Sequence, residues 1–335
     1  MTKQPPVLVL GAGAWGTALA LILARNGQTV WLWGRNSKHL EQMKVSRQNE
    51  RFLPQVRFPE SLHPITSLEE VVPLVQNVVV VVPSQGFRDT LLQLAPYITA
   101  NTRLCWATKG LEEHTGLLLH QVAQQVLGTQ RPLAVLSGPS FATEVAAGLP
   151  TAVTIASSCP HYAQDLVSLF HNPNFRPYTS NDLIGVQLGG AVKNVMAIAA
   201  GIADGLGLGA NTRAALITRG LTEMVRFGMA LGGQRETFMG LAGLGDLVLT
   251  CTDNQSRNRR FGYVLAQGKS LPQARAQVGA VIEGIQAAHE VCRLASQLQI
   301  VMPIADHVNQ VLQGLCTPTA AVQSLLSREP KQETL

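Results

Sequence analysis

The segment Val7-Leu8-Val9-Leu10-Gly11-Ala12-Gly13-Ala14-Trp15-Gly16 decides the fold of the first half of this chain. A short apolar run ends in a glycine-rich turn, residues 18–25 continue as a helix that stops at Asn26-Gly27, and residues 29–33 form a second apolar run. A strand, a glycine-rich turn, a helix and a second strand within about thirty residues are typical of a dinucleotide-binding unit.

Each glycine of the turn has a predicted role. Gly11 makes the tight turn, Gly13 lets the backbone approach a pyrophosphate, and Gly16 lets the helix pack closely on the strand. The N–H groups at the start of the helix favour a phosphate there. A turn that is rich in glycine for packing reasons alone is the alternative.

The residue after the second strand indicates the type of nucleotide. NAD-specific proteins tend to place an acidic residue here, which binds the ribose 2′-hydroxyl, but this chain has Gly34-Arg35. An arginine can pair with a 2′-phosphate, so Arg35 favours NADPH over NADH. A solvated surface arginine is the alternative.

Composition limits the other classes of function. The chain has 335 residues, 46% of them hydrophobic and 14% charged, with a net charge of +5, which favours anionic partners such as a small phosphorylated substrate. Five scattered cysteines and eight scattered histidines show no metal-ligand or disulfide spacing, so we expect no metal and a reducing, cytoplasmic compartment. The apolar run 7–24 has the length of a membrane span, but its glycines divide it into a strand and a helix.

Further alternation of strands and helices predicts a doubly wound parallel sheet. The predicted strands are residues 77–82, 103–107, 133–136 and 152–156, with helices at residues 87–94 and 117–126 among them. Two strands end in polar turns that contain Lys109 and Ser140, and ligands of such sheets bind beyond the carboxyl ends of the strands. Ordinary turn chemistry explains either residue equally well.

After about Asp182 the pattern is helical only, with helices predicted at residues 189–204, 213–231 and 282–298. We therefore predict a Rossmann-like α/β domain at residues 1–184 and an all-helical substrate-binding domain at residues 185–335.

The predicted helix at residues 189–204 is apolar on nearly every face, which is typical of a buried helix. Lys193 lies near its predicted start and shares one stripe with Ala197, Ala200 and Asp204. Two interpretations remain open: a structural lysine whose ammonium reaches water near a helix end, and a desolvated lysine that exchanges a proton.

A second dense polar segment, residues 243–260, ends in Ser256-Arg257-Asn258-Arg259-Arg260. Three arginines with Ser and Asn are typical of a phosphate-binding cluster. A nucleic-acid patch is disfavoured, because no aromatic residues are interleaved with the arginines and the chain is only mildly basic.

These motifs together resemble the bacterial NAD(P)-dependent glycerol-3-phosphate dehydrogenases over essentially the whole chain. The resemblance rests on five ordered segments, namely residues 11–18, 106–112, 137–142, 185–211 and 245–261. It implies reversible reduction of dihydroxyacetone phosphate to sn-glycerol 3-phosphate by a nicotinamide cofactor, feeding glycerophospholipid synthesis.

The resemblance also implies roles for single residues. Lys193 matches the catalytic lysine, which would give a proton to the substrate oxygen, with Lys109, Asp246 and Thr250 beside the reacting end. The implied substrate-binding residues are Lys109, Gly138, Ser140, Lys193, Asp246, Ser256, Arg257 and Asn258. The implied cofactor-binding residues are Gly11, Gly13, Ala14, Trp15, Gly16, Arg35, Lys109, Ala142, Arg257, Val281 and Glu283.

Two other functions stay open from the residues. A related β-hydroxyacid-type dehydrogenase would act on a carboxylate in place of a phosphate, and a sensor would bind NADP(H) without turnover. The resemblance suggests a homodimer, and we expect neither nucleic-acid binding nor stable membrane insertion.

Overall fold

The computed structural model describes residues 5–279, 281–329 and 332. The chain divides into two compact units: the first runs to Thr108 and resumes at Leu119–Leu183, and the second contains Lys109–Leu118 and the described residues from Ile184 onward. Compared with the predicted ranges 1–184 and 185–335, the segment Lys109–Leu118 belongs to the second unit, and the later boundary lies one residue earlier.

The first unit is built on a sheet that has eight strands within the described residues, in the order β10-β9-β8-β7-β6-β1-β2-β5, beside a two-stranded hairpin of β3 and β4. The strands are β1 (Val7–Leu10), β2 (Val30–Trp33), β3 (Gln48–Asn49), β4 (Leu53–Arg57), β5 (Leu62–Ile65), β6 (Asn77–Val80), β7 (Arg103–Trp106), β8 (Leu133–Ser137), β9 (Thr151–Ser157) and β10 (Phe175–Ser180). The helices of this unit are α1 (Ala14–Arg25), α2 (Ser37–Ser46), α3 (Phe87–Leu94), α4 (Leu119–Leu127), α5 (Ala142–Ala147) and α6 (Pro160–Phe170).

The central strands are parallel, as predicted. Val7 of β1 pairs with Val30 of β2 on one side and with Asn77 of β6 on the other, and all four residues of β1 are fully buried. The Rossmann-like class of this unit is therefore confirmed. The sheet departs from the prediction at one place, where β8 and β9 pair antiparallel.

The sequence did not predict the two strands at the edges of the sheet. β5 and β10 each contain a proline, Pro64 and Pro177, and in β10 the buried residues Phe175 and Pro177 alternate with exposed ones. Proline cannot donate to a sheet ladder and is tolerated mainly at sheet edges, so these segments lack the continuous apolar pattern of central strands.

The second unit is helical in its described residues, which confirms the predicted class of the C-terminal half. Its helices are α7 (Leu183–Gly205), α8 (Gly209–Ala230), α9 (Arg235–Met239), α10 (Asp246–Thr252), α11 (Arg257–Ala266), α12 (Leu271–Val278), α13 (Glu283–Gln297), α14 (Pro303–Leu312) and α15 (Pro318–Leu326). A π-helical turn, Leu241–Gly245, leads directly into α10.

Helix α7 is the centre of this unit, and 89% of its most apolar stretch is buried inside the protein. Among the described residues it is the one helix long and apolar enough to cross a membrane, but burial of this kind is expected of a core helix. It begins six residues earlier than predicted, so the prediction that Lys193 lies near the helix start is wrong. The interpretation of Lys193 as a lysine reaching water from a helix end fails with it, because Lys193 is only 7% exposed.

Helices α7 and α11 pack so closely that each has a glycine at the contact, Gly201 in α7 and Gly262 in α11. A Cβ on Gly201 would lie 1.9 Å from the Arg259 carbonyl oxygen, and a Cβ on Gly262 would lie 2.1 Å from that of Ile198. Since real Cβ atoms do not approach oxygen so closely, only glycine permits this backbone contact. It sets the position of α11, whose first turn carries Arg257 and Asn258, relative to α7.

Candidate active site

In the glycine-rich turn of the first unit, packing within the protein explains the glycines at positions 11 and 16 but not Gly13. Gly11 has φ +126°, and a Cβ on Gly16 would lie 1.8 Å from the Gly11 carbonyl oxygen, so both glycines are required by the protein itself. A Cβ on Gly13, in contrast, would meet no atom within 4 Å. The packing-only interpretation therefore fails for Gly13, and the open space beside it suits the close approach of a ligand.

The start of α1 fits a phosphate. Gly13 caps this helix without a side-chain hydrogen bond, and the first turn contains no acidic residue. The N–H groups of Ala14, Trp15 and Gly16 precede the first N–H that bonds within the helix, that of Thr17 to the Gly13 carbonyl. Such uncapped N–H groups form an anion-binding site. The residues present thus fit the pyrophosphate of a dinucleotide.

Other predicted cofactor residues lie in the same unit. Arg35 follows β2 and is exposed, as pairing with a ligand requires. The Trp15 indole N–H is buried without a hydrogen-bond partner among the described residues. Ala142 begins α5, which packs against α1. Two of the predicted substrate-binding residues precede Ala142 in the chain. Gly138 has φ +148°, and the Ser140 hydroxyl donates to the Gly138 carbonyl at 3.0 Å.

In the second unit, two lysines converge on one carboxylate. The Lys193 ammonium donates to Asp246 Oδ1 at 2.6 Å and to Thr250 Oγ1 at 2.8 Å, and Lys109 Nζ lies 2.5 Å from Asp246 Oδ2. The Thr250 hydroxyl donates to the Asp246 carbonyl at 2.6 Å, so it accepts from Lys193 with a fixed orientation. An ammonium has three N–H donors, and the hydrogen bonds to described residues use two of those of Lys193. One N–H remains for a ligand.

The turn before α10 brings Asp246 to Lys193. Gly189 lies one helical turn before Lys193 on the same face of α7, and a Cβ there would lie 2.4 Å from the Ala242 carbonyl oxygen. The π-helical turn Leu241–Gly245 therefore packs directly on this face, and α10 starts at its end. Asp246 and Thr250 are four residues apart, so both point at Lys193 from one side of α10.

Burial and charge set the protonation of this cluster. Burial, reinforced by the Lys109 charge, lowers the pKa of Lys193 to about 8, although Asp246 acts in the opposite direction. For Asp246, burial alone would raise the pKa, but Lys109 and Lys193 outweigh it and the net pKa is lowered. Asp246 is therefore ionised near neutral pH, whereas Lys193 can both give and accept a proton at a pH close to neutral.

A chain of amides and a carboxylate adjoins this cluster. Asn258 donates to Asn194 Oδ1 at 2.9 Å and accepts from the Gly284 N–H at 2.9 Å, while Asn194 donates to Glu283 Oε2 at 3.3 Å. Sequence reasoning missed Asn194; its place directly after Lys193 in an apolar helix was the available signal. The Glu283 charge also acts on Lys193 and raises its pKa. Val281, two residues earlier, is 48% exposed.

The segment 256–260 divides into two parts with different roles. Ser256 caps α11 by accepting from the Arg259 N–H at 3.2 Å, and Arg257 is exposed in a first turn without acidic residues. Arg259, in contrast, pairs with Asp204 at 2.6 Å and is largely buried, and Arg213 pairs with the same carboxylate at 2.8 Å. Arg259 therefore connects α11 to α7 and is committed within the protein, unlike Arg257.

Asp204 and Lys193 thus have separate partners, although the sequence placed them on one stripe of a helix. No group of three or more His, Cys, Asp or Glu side chains with the geometry of a metal site occurs among the residues the structure describes.

Comparisons with known proteins agree with this chemistry. A family model described as NAD-dependent glycerol-3-phosphate dehydrogenase N-terminus matches residues 6–163, and the C-terminus model of the same family matches residues 182–323. A glycerol-3-phosphate dehydrogenase [NAD(P)+] of Nitrosococcus oceani is 58% identical over 326 residues, which cover 97% of this chain and 95% of the relative.

Solved structures give the same result. A crystal structure of glycerol-3-phosphate dehydrogenase from Coxiella burnetii superposes with a TM-score of 0.94 at 50% identity, covering 97% of this chain and all of that one. A glycerol-3-phosphate dehydrogenase structure from Saccharomyces cerevisiae has a TM-score of 0.83 at 27% identity, with 96% and 99% coverage. The chain therefore belongs to the NAD-dependent glycerol-3-phosphate dehydrogenase family of oxidoreductases.

Proposed function

We propose that this chain reduces dihydroxyacetone phosphate to sn-glycerol 3-phosphate with NADPH or NADH, and that Lys193 donates the proton to the ketone oxygen. The observation that carries the assignment is the buried cluster in which Lys193 donates to Asp246 and Thr250 and keeps a third N–H for a ligand. In the reverse direction, Lys193 takes the proton of the substrate hydroxyl.

The protonation state of Lys193 supports this role. A bound reduced nicotinamide supplies the hydride, and negative charge then develops on the ketone oxygen. An acid with a pKa of about 8 is largely protonated near neutral pH and gives its proton far more readily than an ordinary lysine. Lys193 therefore stabilises the developing charge and neutralises it.

Asp246 and Lys109 fix the position of the donor. One carboxylate oxygen of Asp246 accepts from the Lys193 ammonium and the other pairs with the Lys109 ammonium. Both cations therefore keep a defined position beside the reacting oxygen. Lys109 lowers the pKa of Lys193, while Asp246 prevents the pKa from falling so far that Lys193 becomes neutral.

The substrate phosphate is held at the N-terminus of α11. The N–H groups of its first turn and the Arg257 guanidinium supply donors to a dianion there. The carbonyl oxygen of the Asn258 side chain is already occupied by the Gly284 N–H, so Asn258 acts through its backbone N–H and its remaining amide hydrogen. Binding at a fixed point orients the ketone toward Lys193.

Gly13 and the first turn of α1 would hold the dinucleotide phosphates, and Arg35 would hold the 2′-phosphate of NADPH. Gly138, Ser140, Ala142, Val281 and Glu283 complete the proposed contacts to substrate and cofactor. The role in glycerophospholipid synthesis, the cytoplasmic location, the homodimer, the roles assigned to the two domains 1–184 and 185–335, and the lack of nucleic-acid and membrane partners stay predictions from the sequence.

The first experiment is an assay at 340 nm with NADPH or NADH and a panel of dihydroxyacetone phosphate and 2-keto acids. We expect oxidation of the cofactor that depends on dihydroxyacetone phosphate. Turnover of keto acids without turnover of dihydroxyacetone phosphate would favour a hydroxyacid dehydrogenase. Binding of NADPH without turnover of any substrate would favour a sensor.

A further inference from the structure

Lys109 lies at the start of a turn that closes on itself. Within Lys109–Leu118, the Gly116 N–H donates to the Glu112 carbonyl at 2.9 Å, the Glu112 N–H donates to the Leu117 carbonyl at 2.9 Å, and the Thr115 hydroxyl donates to Glu112 Oε2 at 2.6 Å. His114 has φ +67°, a left-handed conformation that is strained for a non-glycine residue. These hydrogen bonds define the shape of the turn, whereas its position depends on contacts with the rest of the unit.

The anchor is a fully buried carboxylate on α13. Glu290 is 0% exposed, and its Oε1 accepts from the His114 N–H at 3.0 Å. Its Oε2 accepts two hydrogen bonds from Arg293, one from Nε at 3.0 Å and one from Nη2 at 2.9 Å. The half-exposed His289 ring lies 3.4 Å from Oε1 and adds a long contact. Each oxygen of the carboxylate therefore faces an N–H donor.

Arg293 also packs against the turn. A Cβ on Gly116 would lie 2.2 Å from Arg293 Nη2 and 3.2 Å from the Leu294 side chain, so Gly116 lets the turn lie directly on α13. Leu111 and Leu118, on either side of the anchored part, are buried in the hydrophobic core of the helical unit. The turn thus meets α13 at one carboxylate and one guanidinium, and two of its leucines are buried in the core of the same unit.

We propose that Glu290 and Arg293 are positioning residues for the reaction: they hold the turn Lys109–Leu118 on α13 and thereby hold the Lys109 ammonium on Asp246. The inference deepens the proposed function and rests on the proposed role of Lys193 as proton donor. Neither residue has a counterpart among the motifs that the sequence singled out.

The consequence for Lys193 has a defined sign. The charged groups that act on Lys193 are Lys109, Asp246 and Glu283, and the nearby Cys251 thiol is neutral because burial raises its pKa to about 12. When Lys109 moves away, Lys193 loses a repelling cation and Asp246 loses its second partner. Both changes favour the protonated lysine, so the pKa of Lys193 rises.

Glu290→Gln tests the proposal with little change in shape. A glutamine offers one acceptor oxygen where the carboxylate offers two, so its NH2 group must face either His114 N–H or Arg293. We expect amide hydrogen exchange in the segment 109–118 to become about tenfold faster or more, which is the effect of losing one charge-assisted hydrogen bond. For dihydroxyacetone phosphate, kcat/KM should fall on the order of tenfold. The basic limb of the pH profile of kcat/KM should move to higher pH by about 0.5–1 unit.

Two comparisons separate positioning from simple destabilisation. Glu223→Gln is the matched control, because Glu223 is 3% exposed and accepts from the Ile304 and Ala305 N–H groups at the start of α14 without touching the turn. We expect it to leave exchange in 109–118, kcat/KM and the pH profile within about twofold of the wild type even where it lowers Tm. In a Lys109→Ala background, Glu290→Gln should cause no further loss of kcat/KM.

The proposal is overturned if Glu290→Gln leaves exchange in 109–118 and the pH profile unchanged, or if it costs as much in the Lys109→Ala background as in the wild type. Should Glu290→Gln not fold, Arg293→Lys keeps the charge, loses the two-pronged contact and is judged by the same readouts. Hydrogen exchange reports the anchor without reference to proton transfer. A wrong assignment of Lys193 would show separately, as normal turnover in Lys193→Met.

Discussion

Asp246→Asn should move the pH dependence of the enzyme toward acid. Asp246 is the strongest of the groups that keep Lys193 protonated, at 2.6 Å from its ammonium, while burial and Lys109 act in the opposite direction. An opposite charge within hydrogen-bonding distance shifts a pKa by about 1–3 units. Removing it should therefore lower the pKa of Lys193 from about 8 to about 5–7, and Lys193 becomes largely neutral at pH 7.5.

The size of the effect follows from the two protonation states. At pH 7.5 an acid with a pKa near 8 is about three-quarters protonated, and one with a pKa near 6.5 is about one-tenth protonated. We expect kcat/KM of Asp246→Asn to fall on the order of eightfold at pH 7.5 from this cause alone, and to recover toward pH 6. The assay is the pH profile of kcat/KM at 340 nm with dihydroxyacetone phosphate.

Thr250→Val is the matched control, because it removes the other hydrogen bond of Lys193, at 2.8 Å, but no charge. Its activity should fall while the basic limb stays within about 0.5 pH unit of the wild type. An unmoved basic limb in Asp246→Asn, or a shift of the same size in Thr250→Val, would contradict the effect of the Asp246 charge on the pKa of Lys193.

Three further substitutions test the remaining assignments. Arg257→Ala should raise KM for dihydroxyacetone phosphate on the order of 10–100-fold with a smaller effect on kcat, and a KM within twofold of the wild type would remove it from the phosphate site. Arg259→Met, two residues on, should leave KM nearly unchanged but lower the free energy of unfolding by about 2–3 kcal/mol in a denaturant titration, less than for a fully orphaned charge because Arg213 still pairs with Asp204. Arg35→Ala should raise KM for NADPH about tenfold and leave KM for NADH unchanged; an NADPH preference that survives the substitution would contradict the role of Arg35.

The parts of the fold that sequence could predict are those fixed by local pattern. Val7–Leu10, the glycine turn and α1 form one continuous signal, because buried parallel strands are uniformly apolar and the turn demands glycine. The edge strands β5 and β10 and the start of α7 were not predictable in this way. Prolines weaken the strand pattern at the edges, and the missed first turns of α7 contain Gly185, a residue type of low helix propensity.

The candidate site shows the same division. Lys193, Asp246 and Thr250 could be selected because charged or polar groups in an apolar context need partners, and the structure brings them together with Lys109. Glu290 could not be recognised as an anchor from the sequence, because it lies 176 residues from His114 in the chain. In its local sequence it looks like any polar residue on a helix. Contacts of this range depend on how the turn Lys109–Leu118 packs, which no local pattern records.

The ion pair between Arg259 and Asp204 was likewise not predictable from the local sequence. Ser256 to Arg260 reads as one cationic cluster, but successive residues of a helix point in different directions. Arg257 faces solvent, while Arg259 turns toward α7 and Asp204. The helix start at Ser256, fixed by its cap on Arg259 N–H, decides which arginine remains available to a ligand.

The most direct test of the central claim is the pH profile of kcat/KM for dihydroxyacetone phosphate reduction, measured side by side for the wild type and Lys193→Met. We expect a basic limb near the Lys193 pKa of about 8 in the wild type. In the variant we expect turnover reduced by a factor on the order of 10²–10⁴, without that limb. Near-normal turnover in Lys193→Met, or the same limb in its residual activity, would contradict the assignment of Lys193 as the proton donor.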